Sequence, residues 1–306
     1  MPHQIGFVSF QACGTRIGSL KGESVANEAF DEGYLRHIGA CNNARLPADR
    51  VAFRIGSAQV GWVKPAFAAK LAECPEIRAD ANGVALADGA ALPAIARRLS
   101  DAGCYRWRGE AFDIRAEPDG PVLALLDRGA LPSFGVVAVG VHLNGLVRRA
   151  SGLHVWVARR SADKLLDPGK LDHVVAGGVP AGLTPAETLV KEAAEEAAIS
   201  ESLASRAVPV AVISYAMERA EGLRRDRLHC YDLELPEGFR PDAADGEVAA
   251  FELWPIARVM QAVHDTDDFK FNVSLVLIDL FLREGLVGGA EAKTLRAGLD
   301  GGTTSG

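Results

Sequence analysis

The segment that most restricts the fold runs from Gly177 to Ile199, where a glycine-rich loop leads into a helix. Thr184 is suited to cap this helix, Pro185 to be its first residue and Glu187 to be its third, which is the pattern of a capping box. The glycines let backbone N–H groups and the helix N-terminus approach phosphate oxygens. A strand, a glycine loop and a capped helix in this order predict a rigid site for a phosphate group.

The predicted helix carries three glutamates on one side and mostly alanine on the other. At about 100° per residue, Glu192, Glu195 and Glu196 lie within an arc of roughly 100°. Like charges at this spacing repel one another by a few tenths of a kcal/mol per pair. Carboxylate oxygens that converge on one point suit Mg²⁺ or Mn²⁺, so we predict a metal site. The alternative is a solvated acidic face, which is how many such helices behave.

Composition limits the classes of function. The chain has 306 residues, 48% of them hydrophobic, and a formal net charge of −7. This charge argues against nucleic-acid binding, which needs a basic surface, and leaves a small-molecule substrate. The five cysteines are scattered without a C-x-x-C pair, which is typical of reduced thiols in a cytosolic protein. We expect a cytoplasmic protein without a membrane partner, because the N-terminus lacks a signal-peptide pattern and the apolar stretches Val136–Val141 and Val273–Leu282 are too short or too polar to span a bilayer.

The order of short strands and helices predicts an α+β protein in three regions. These are an extension at 1–24, a smaller accessory α+β domain at 25–130 and an α/β/α sandwich with a mixed sheet at 131–306. Strands are expected at Val51–Ile55, Val60–Val63, Tyr105–Ile114, Val136–Val141, His154–Ala158, Val208–Tyr215, Leu228–Leu235 and Val248–Trp254. Helices are expected at Ala66–Leu71, Pro93–Asp101, Pro185–Ala198 and Asn272–Arg283.

The glycine loop and acidic helix resemble the Nudix hydrolases, whose box reads G-x5-E-x7-R-E-U-x-E-E-x-G-U with U a bulky apolar residue. The glycine, the three later glutamates and the final apolar position match in register at Gly177, Glu192, Glu195, Glu196 and Ile199. Four positions depart from the pattern: Leu183, Lys191, Ala193 and Ala198. The resemblance implies the Nudix α/β/α sandwich and hydrolysis of a phosphoanhydride bond with Mg²⁺ or Mn²⁺.

A narrower resemblance covers more of the chain. The segments Gly140–Gly145, Leu171–Gly178, Asp245–Val248 and Phe269–Asn272 are similar to the thiamine-pyrophosphokinase-related Nudix branch, which carries its own N-terminal domain. Members of this branch resemble diphosphatases that act on thiamine diphosphate or its oxidised forms. The resemblance therefore implies release of a monophosphate from such a compound. It is the resemblance alone, and no feature of composition or spacing, that points to thiamine.

The resemblance also implies roles for individual residues. The metal would be held by the box residues Gly177, Glu192, Glu195 and Glu196, with Glu192 and Glu196 also serving the chemistry. Glu247 is our candidate for a carboxylate that accepts the proton of the attacking water, its alternative being a turn residue before a strand. Candidate substrate-binding residues are Gly178 and Gly182 in the loop, Arg159 and Lys270 for phosphate, and Trp107 for an aromatic group. Each of the last three has a structural alternative, namely a surface charge for the cations and a core residue for the tryptophan.

A second class of function stays open at this point. The departures at Leu183, Lys191 and Ala198 are also what a catalytically degenerate Nudix-fold module for ligand binding or regulation would show. The accessory domain could shape specificity or support a homodimer, and the sequence does not choose between these roles.

Overall fold

The computed structural model describes residues 32–243 and 246–301. The predicted extension at 1–24 and Asp245 lie outside the described residues. The described residues belong to one compact unit, and the domain boundary that we predict near residue 130 stays a prediction.

The N-terminal half of the described chain combines small sheets with short helices. Its strands are β1 (Val51–Ile55), β2 (Ala58–Val63), β3 (Ile77–Asp80), β4 (Gly83–Leu86), β5 (Ala111–Ile114) and β6 (Ala124–Asp127). Its helices are α1 (Glu32–Cys41), α2 (Pro65–Ala72), α3 (Leu92–Asp101) and α4 (Leu131–Phe134). The first four strands form a sheet in the order β2-β1-β4-β3, while β5 and β6 form a hairpin. Buried aromatic and aliphatic side chains, among them Phe53, Phe112 and Phe134, form a core for this half.

The C-terminal half is built on one mixed sheet. Its strands are β7 (Val137–Arg149), β8 (Gly152–Arg160), β9 (Leu171–His173), β10 (Val175–Gly178), β11 (Val208–Arg219), β12 (Gly222–Glu234) and β13 (Val248–Pro255). The main path is β11-β12-β7-β8-β13, with β10 on β7 and β9 on β8. The pair β12–β7 is parallel and the other pairs are antiparallel.

Helices cover both faces of this sheet. They are α5 (Pro185–Ala197), α6 (Glu201–Ala204), α7 (Ile256–Asp265), α8 (Val273–Arg283) and α9 (Gly289–Asp300). Alternate residues of β12 point to opposite faces, so Tyr231 and Leu233 share a core with α5, whereas Leu228 and Cys230 share one with α8. The predicted mixed sheet between helical layers is confirmed.

Two parts of the N-terminal half differ from expectation. Helix α1 packs into the core of α7, α8 and α9 through Tyr34 and Ile38, a contact with the C-terminal half that the sequence pattern does not indicate. The predicted strand Tyr105–Ile114 is shorter and begins only at Ala111. The Asp127 carboxylate accepts hydrogen bonds from the N–H groups of Arg108, Gly109 and Glu110, at 2.9, 2.7 and 3.2 Å, and thus withholds them from a strand ladder.

Candidate functional site

Helix α5 begins as the sequence predicts. The Thr184 hydroxyl accepts a hydrogen bond from the Glu187 N–H at 3.2 Å, and the Glu187 carboxylate accepts one from the Thr184 N–H at 2.8 Å. Both halves of the capping box are therefore present, with Pro185 as the first helical residue. A cap of this kind contributes about 1 kcal/mol. It fixes the start of the helix that carries the three glutamates.

Glu196 is the buried member of the three glutamates. Its side chain is turned towards strand β10, where one carboxylate oxygen accepts a hydrogen bond from the Ala176 N–H at 2.9 Å. Burial raises the pKa of Glu196 to about 8, and the negative charges of Asp172 and Glu192 act in the same direction. The Ala176 hydrogen bond and the positive charge of Lys164 oppose this rise. Glu196 therefore lies where several acids meet in a poorly solvated space.

Glu192 lies directly against the glycine loop. If Gly177 carried a Cβ, that atom would stand 2.8 Å from Cγ and 3.0 Å from Oε2 of Glu192. A glycine is thus required for the carboxylate of Glu192 to come this close to strand β10. Glu195 points elsewhere, since it is exposed and forms an ion pair with Lys191 at 2.6 Å.

Two of the three glutamates fit a hard divalent cation. The carboxylates of Glu192 and Glu196 approach the same segment of β10. Burial raises the pKa of Glu196, the charge of Glu192 adds to this rise, and a bound cation would oppose it. The carbonyl of Gly177 is the predicted third ligand. Glu195, the fourth, would have to leave Lys191 and rotate to reach the same point. The full ligand set stays a prediction.

A small pocket beside Glu196 contains the candidate proton acceptor. Glu247 and Lys164 form an ion pair, and both side chains line this pocket together with Glu196 and Asp172. The Glu247 backbone carbonyl also accepts a hydrogen bond from the Ser161 N–H at 2.9 Å. The folded chain thus brings Glu247, which is about 50 residues from α5 in sequence, to the buried glutamate.

The side chains of His142, Asp172 and His173 form a buried cluster behind this pocket. Within the described part of the chain, they are the one group of three such residues whose ligand atoms lie within 4.8 Å of one another. The two histidines are joined Nδ1 to Nδ1 at 2.9 Å, a hydrogen-bond distance. Asp172 already pairs with Arg160 at 2.6 Å and lies 3.8 Å from the buried Lys270 ammonium. Two cations at this carboxylate disfavour a divalent ion there, so the cluster is better explained as a buried polar network.

Burial and neighbouring cations together set the pKa values of the side chains in this network. Burial lowers the pKa of His173 to about 4 and that of His142 well below its usual value, so both rings are neutral near pH 7. The cations Lys270 and Arg160 keep the pKa of Asp172 low, at about 2, although burial alone would raise it. Asp172 is therefore a permanent negative charge next to Glu196. Asp172 is not among the residues predicted from the sequence, although the Asp-His pair inside an apolar strand was a visible signal.

The N-terminal half holds the glycine loop in place. The Ala111 carbonyl of β5 accepts a hydrogen bond from the Ala181 N–H at 2.8 Å. The neighbouring Phe112 ring occupies the space over Gly178, where a Cβ would stand 2.5 Å from its Cζ atom. Gly182, with φ of +82°, supplies the left-handed turn that leads to Thr184. The loop is thus fixed by residues outside the box that were not predicted from the sequence.

The remaining predicted substrate residues are not gathered at this site. Arg159 points to solvent and donates to the Gly169 carbonyl at 3.1 Å, whereas its neighbour Arg160 points to the pocket. Lys270 is buried against Asp172, and burial lowers its pKa. Trp107 packs against the N-terminal core, with the Arg97 guanidinium 5.1 Å from its ring centroid. The structural alternatives explain these three placements, and any role in substrate binding stays a prediction.

Three of the four departures from the Nudix pattern, at Leu183, Lys191 and Ala198, can be described from their local surroundings. Leu183 is exposed at the edge of the loop, and Lys191 pairs with Glu192 at 3.2 Å as well as with Glu195. Ala198, at the last glycine position, ends α5 in the left-handed conformation with φ of +51°. The backbone conformation that favours glycine is therefore kept, at the cost of strain on an alanine.

Two family models match this chain, one in each half. The family model described as "NUDIX domain" matches residues 138–274, and one described as "Domain of unknown function (DUF4743)" matches residues 33–138. The C-terminal half therefore has the Nudix fold, with a mixed sheet and helices, and a domain of the second kind precedes it.

Two plant proteins are similar over much of this length. Nudix hydrolase 20 and Nudix hydrolase 24 of Arabidopsis thaliana, both described as chloroplastic, are each 44% identical over 180 residues, or 59% of this chain. The aligned part is 48% and 49% of those proteins, so the chain spans about half the length of the curated relatives it matches.

Among solved structures, the NUDIX domain of NrtR from Shewanella oneidensis, complexed with ADP ribose, is similar with a TM-score of 0.40 and 16% identity. The match covers 51% of this chain and 92% of that chain. Within the described residues, no helix combines the length and apolar character needed to cross a membrane.

Proposed function

We propose that the protein is a metal-dependent hydrolase that cleaves the phosphoanhydride bond of a small organic diphosphate and releases the monophosphate. The observation that carries the proposal is the approach of Glu192 and the buried Glu196 to one segment of β10, at the end of a braced glycine loop. Two carboxylates held together at such a place favour the binding of a cation. The similarity to two proteins named as Nudix hydrolases supports the same class of activity.

Glu192, Glu196 and the Gly177 carbonyl would hold Mg²⁺ or Mn²⁺, with Glu195 joining them after it leaves Lys191. The cation would polarise the phosphoryl oxygens and lower the pKa of the attacking water. The capped helix and the contacts from Ala111 and Phe112 keep the loop rigid, so little reorganisation is needed when phosphate binds. Backbone N–H groups of Gly178 and Gly182 are the proposed donors to phosphate oxygens.

Glu247 is the proposed general base. In hydrolysis, the water oxygen bonds to one phosphorus, the bridging oxygen leaves with the other phosphate, and the water proton passes to a carboxylate. Glu247 lines the pocket that Glu196 also lines, and its carboxylate forms an ion pair with Lys164.

Thiamine diphosphate and its oxidised forms are the substrates that we propose to test first, on the sequence resemblance described above. The test is a screen of diphosphates with Mg²⁺ or Mn²⁺, including these compounds, nucleotide sugars and dinucleotides, with the monophosphate product measured directly. We expect turnover of at least one compound by the wild type and loss of that turnover in Glu196→Gln. Turnover that is unchanged in Glu196→Gln would refute the assignment of the metal site.

A catalytically degenerate module for ligand binding or regulation is the competing function, favoured by the changes at Leu183, Lys191 and Ala198. Binding of a diphosphate by the wild type without turnover of any compound in the screen would support it. Self-association and a cytoplasmic location also stay predictions, which sedimentation and imaging of the tagged protein would test.

A further inference from the structure

A large cleft lies between the two halves of the described chain, next to the glycine loop. Its volume is about 1070 Å³. Strand β2 and the β5–β6 hairpin of the N-terminal half form one wall, which carries the acidic residues Asp113, Glu117 and Asp119 as well as Arg115. Strands β7 and β12 of the C-terminal sheet form the floor, where the charged side chains are basic. Its lining contains none of the residues that are given a catalytic or metal role above. The cleft therefore needs an explanation of its own.

The floor of the cleft combines an apolar strand with a basic one. On β12, Arg225, Arg227 and His229 alternate along the strand, so their side chains share one face. On β7, Val137 and Val139 are the register partners of the two arginines. A ligand lying on this floor would meet valine side chains on one side and guanidinium groups on the other.

Arg227 is the side chain most available to a ligand. It is half-buried and forms no hydrogen bond or ion pair within the described part of the chain. Arg225 beside it is buried, and one of its nitrogens lies 3.4 Å from the Gly135 carbonyl. A half-buried arginine next to a second buried guanidinium is a favourable place for a phosphate, which guanidinium groups bind through paired, charge-assisted hydrogen bonds.

The segment that follows Gly177 of the metal site lines the cleft. Val179 and Pro180 line it, as do Leu183, Thr184 and Pro185 at the start of α5. Gly177, against which Glu192 lies, is only two residues before Val179. Two residues of extended chain span about 7 Å. A diphosphate whose reacting phosphorus is near Gly177 can thus place its remaining half in the cleft.

We propose that this cleft binds the monophosphate half of the substrate, that is, the organic group together with the phosphate that stays attached to it. Arg227 binds the phosphate oxygens, and the organic group packs on Val137 and Val139 against the wall formed by the N-terminal half. This proposal deepens the proposed function and rests on it for the identity of the ligand as a phosphate ester. It gives the N-terminal half a direct part in substrate binding.

The test is the binding of phosphate monoesters by the full chain in metal-free buffer with EDTA. The ligands are thiamine monophosphate and adenosine monophosphate, each compared with its unphosphorylated parent, thiamine or adenosine, by calorimetry. We expect the wild type to bind at least one monophosphate about tenfold or more tightly than its parent. Arg227→Gln is expected to abolish this preference and Arg227→Lys to restore part of it, while Arg206→Gln, which changes an exposed arginine outside the cleft, keeps it.

A second variant tests the wall. Ala58→Trp places a large side chain in the cleft from strand β2 and is expected to weaken binding of the monophosphate and of its parent alike. Circular dichroism checks that each variant is folded. Failure of both monophosphates to bind the wild type, or equal affinity in Arg227→Gln, would overturn the proposal. Because no metal and no turnover are involved, this result is separate from the hydrolysis screen, which can succeed or fail independently.

Discussion

The contact between Phe112 and Gly178 allows a quantitative test of how the N-terminal half braces the loop. In Gly178→Ala the new methyl carbon would stand 2.5 Å from Cζ of Phe112. Carbon atoms pack at about 3.5–4.0 Å, so one of the two groups must move by about 1 Å. Phe112 is only 3% exposed and packs in the core of the N-terminal half. We therefore expect Gly178→Ala to lower the free energy of unfolding by about 2 kcal/mol, within the range for overpacked sites.

Phe112→Leu removes the ring atoms that the new methyl group would meet. Alone it should cost about 1–2 kcal/mol for the lost apolar burial. In that background Gly178→Ala should cost less than about 0.5 kcal/mol, so the double-mutant cycle should give a coupling of at least about 1 kcal/mol. Urea unfolding of the four proteins measures it. Gly238→Ala is the control, because a Cβ there meets nothing within 4 Å. Costs that add within about 0.5 kcal/mol would refute the contact.

Three further predictions follow from the same geometry. Gly177→Ala would push the Glu192 carboxylate away by about 1 Å. It should lower turnover about 100-fold with little change in stability. Gly238→Ala, the control, should keep full turnover. Ala198→Gly relieves the left-handed strain and should raise the free energy of unfolding by about 1 kcal/mol in urea; an unchanged or lower value would contradict it. Because the folded protein keeps His173 neutral down to a pKa of about 4, this ring is protonated only in the unfolded chain between pH 6.5 and 4. The contribution of His173 to stability should therefore fall as the pH drops through this range, by up to about 1.4 kcal/mol per pH unit, while Glu196, with its raised pKa of about 8, contributes in the opposite direction. Urea unfolding at several pH values should show a shallower slope in His173→Gln, and an equal slope would count against a buried neutral ring.

Local signals in the sequence predict helix α5 well. The cap at Thr184, the proline at 185 and the spacing of the glutamates all lie within one helix, and its observed bounds are Pro185–Ala197. Interactions between neighbouring residues decide such a helix, so a sequence pattern is sufficient. The direction in which each glutamate turns is not local. Glu196 turns inwards because β10 offers the Ala176 N–H, and Glu195 turns outwards because Lys191 is one helical turn away.

Contacts between distant segments account for what the sequence did not predict. The brace on the glycine loop comes from Ala111 and Phe112, about 70 residues earlier, and nothing in the spacing of either segment indicates their pairing. The packing of helix α1 could not be predicted for the same reason. Its buried residues fit an amphipathic helix, but its partners are α7, α8 and α9 at the far end of the chain. The cleft lined by Arg227 also depends on contacts between distant segments, because the fold places strands β7 and β12 side by side.

The binding of Mn²⁺ tests the central claim most directly. Titration of the protein with Mn²⁺, followed by electron paramagnetic resonance of the free ion, gives the affinity without any substrate. Glutamine at position 196 has the shape of the glutamate and can still accept the hydrogen bond from the Ala176 N–H. We predict saturable binding by the wild type, at least tenfold weaker binding by Glu196→Gln, and unchanged binding by Glu201→Gln on the neighbouring helix α6. Equal affinity of the wild type and Glu196→Gln would contradict a metal site built on this glutamate.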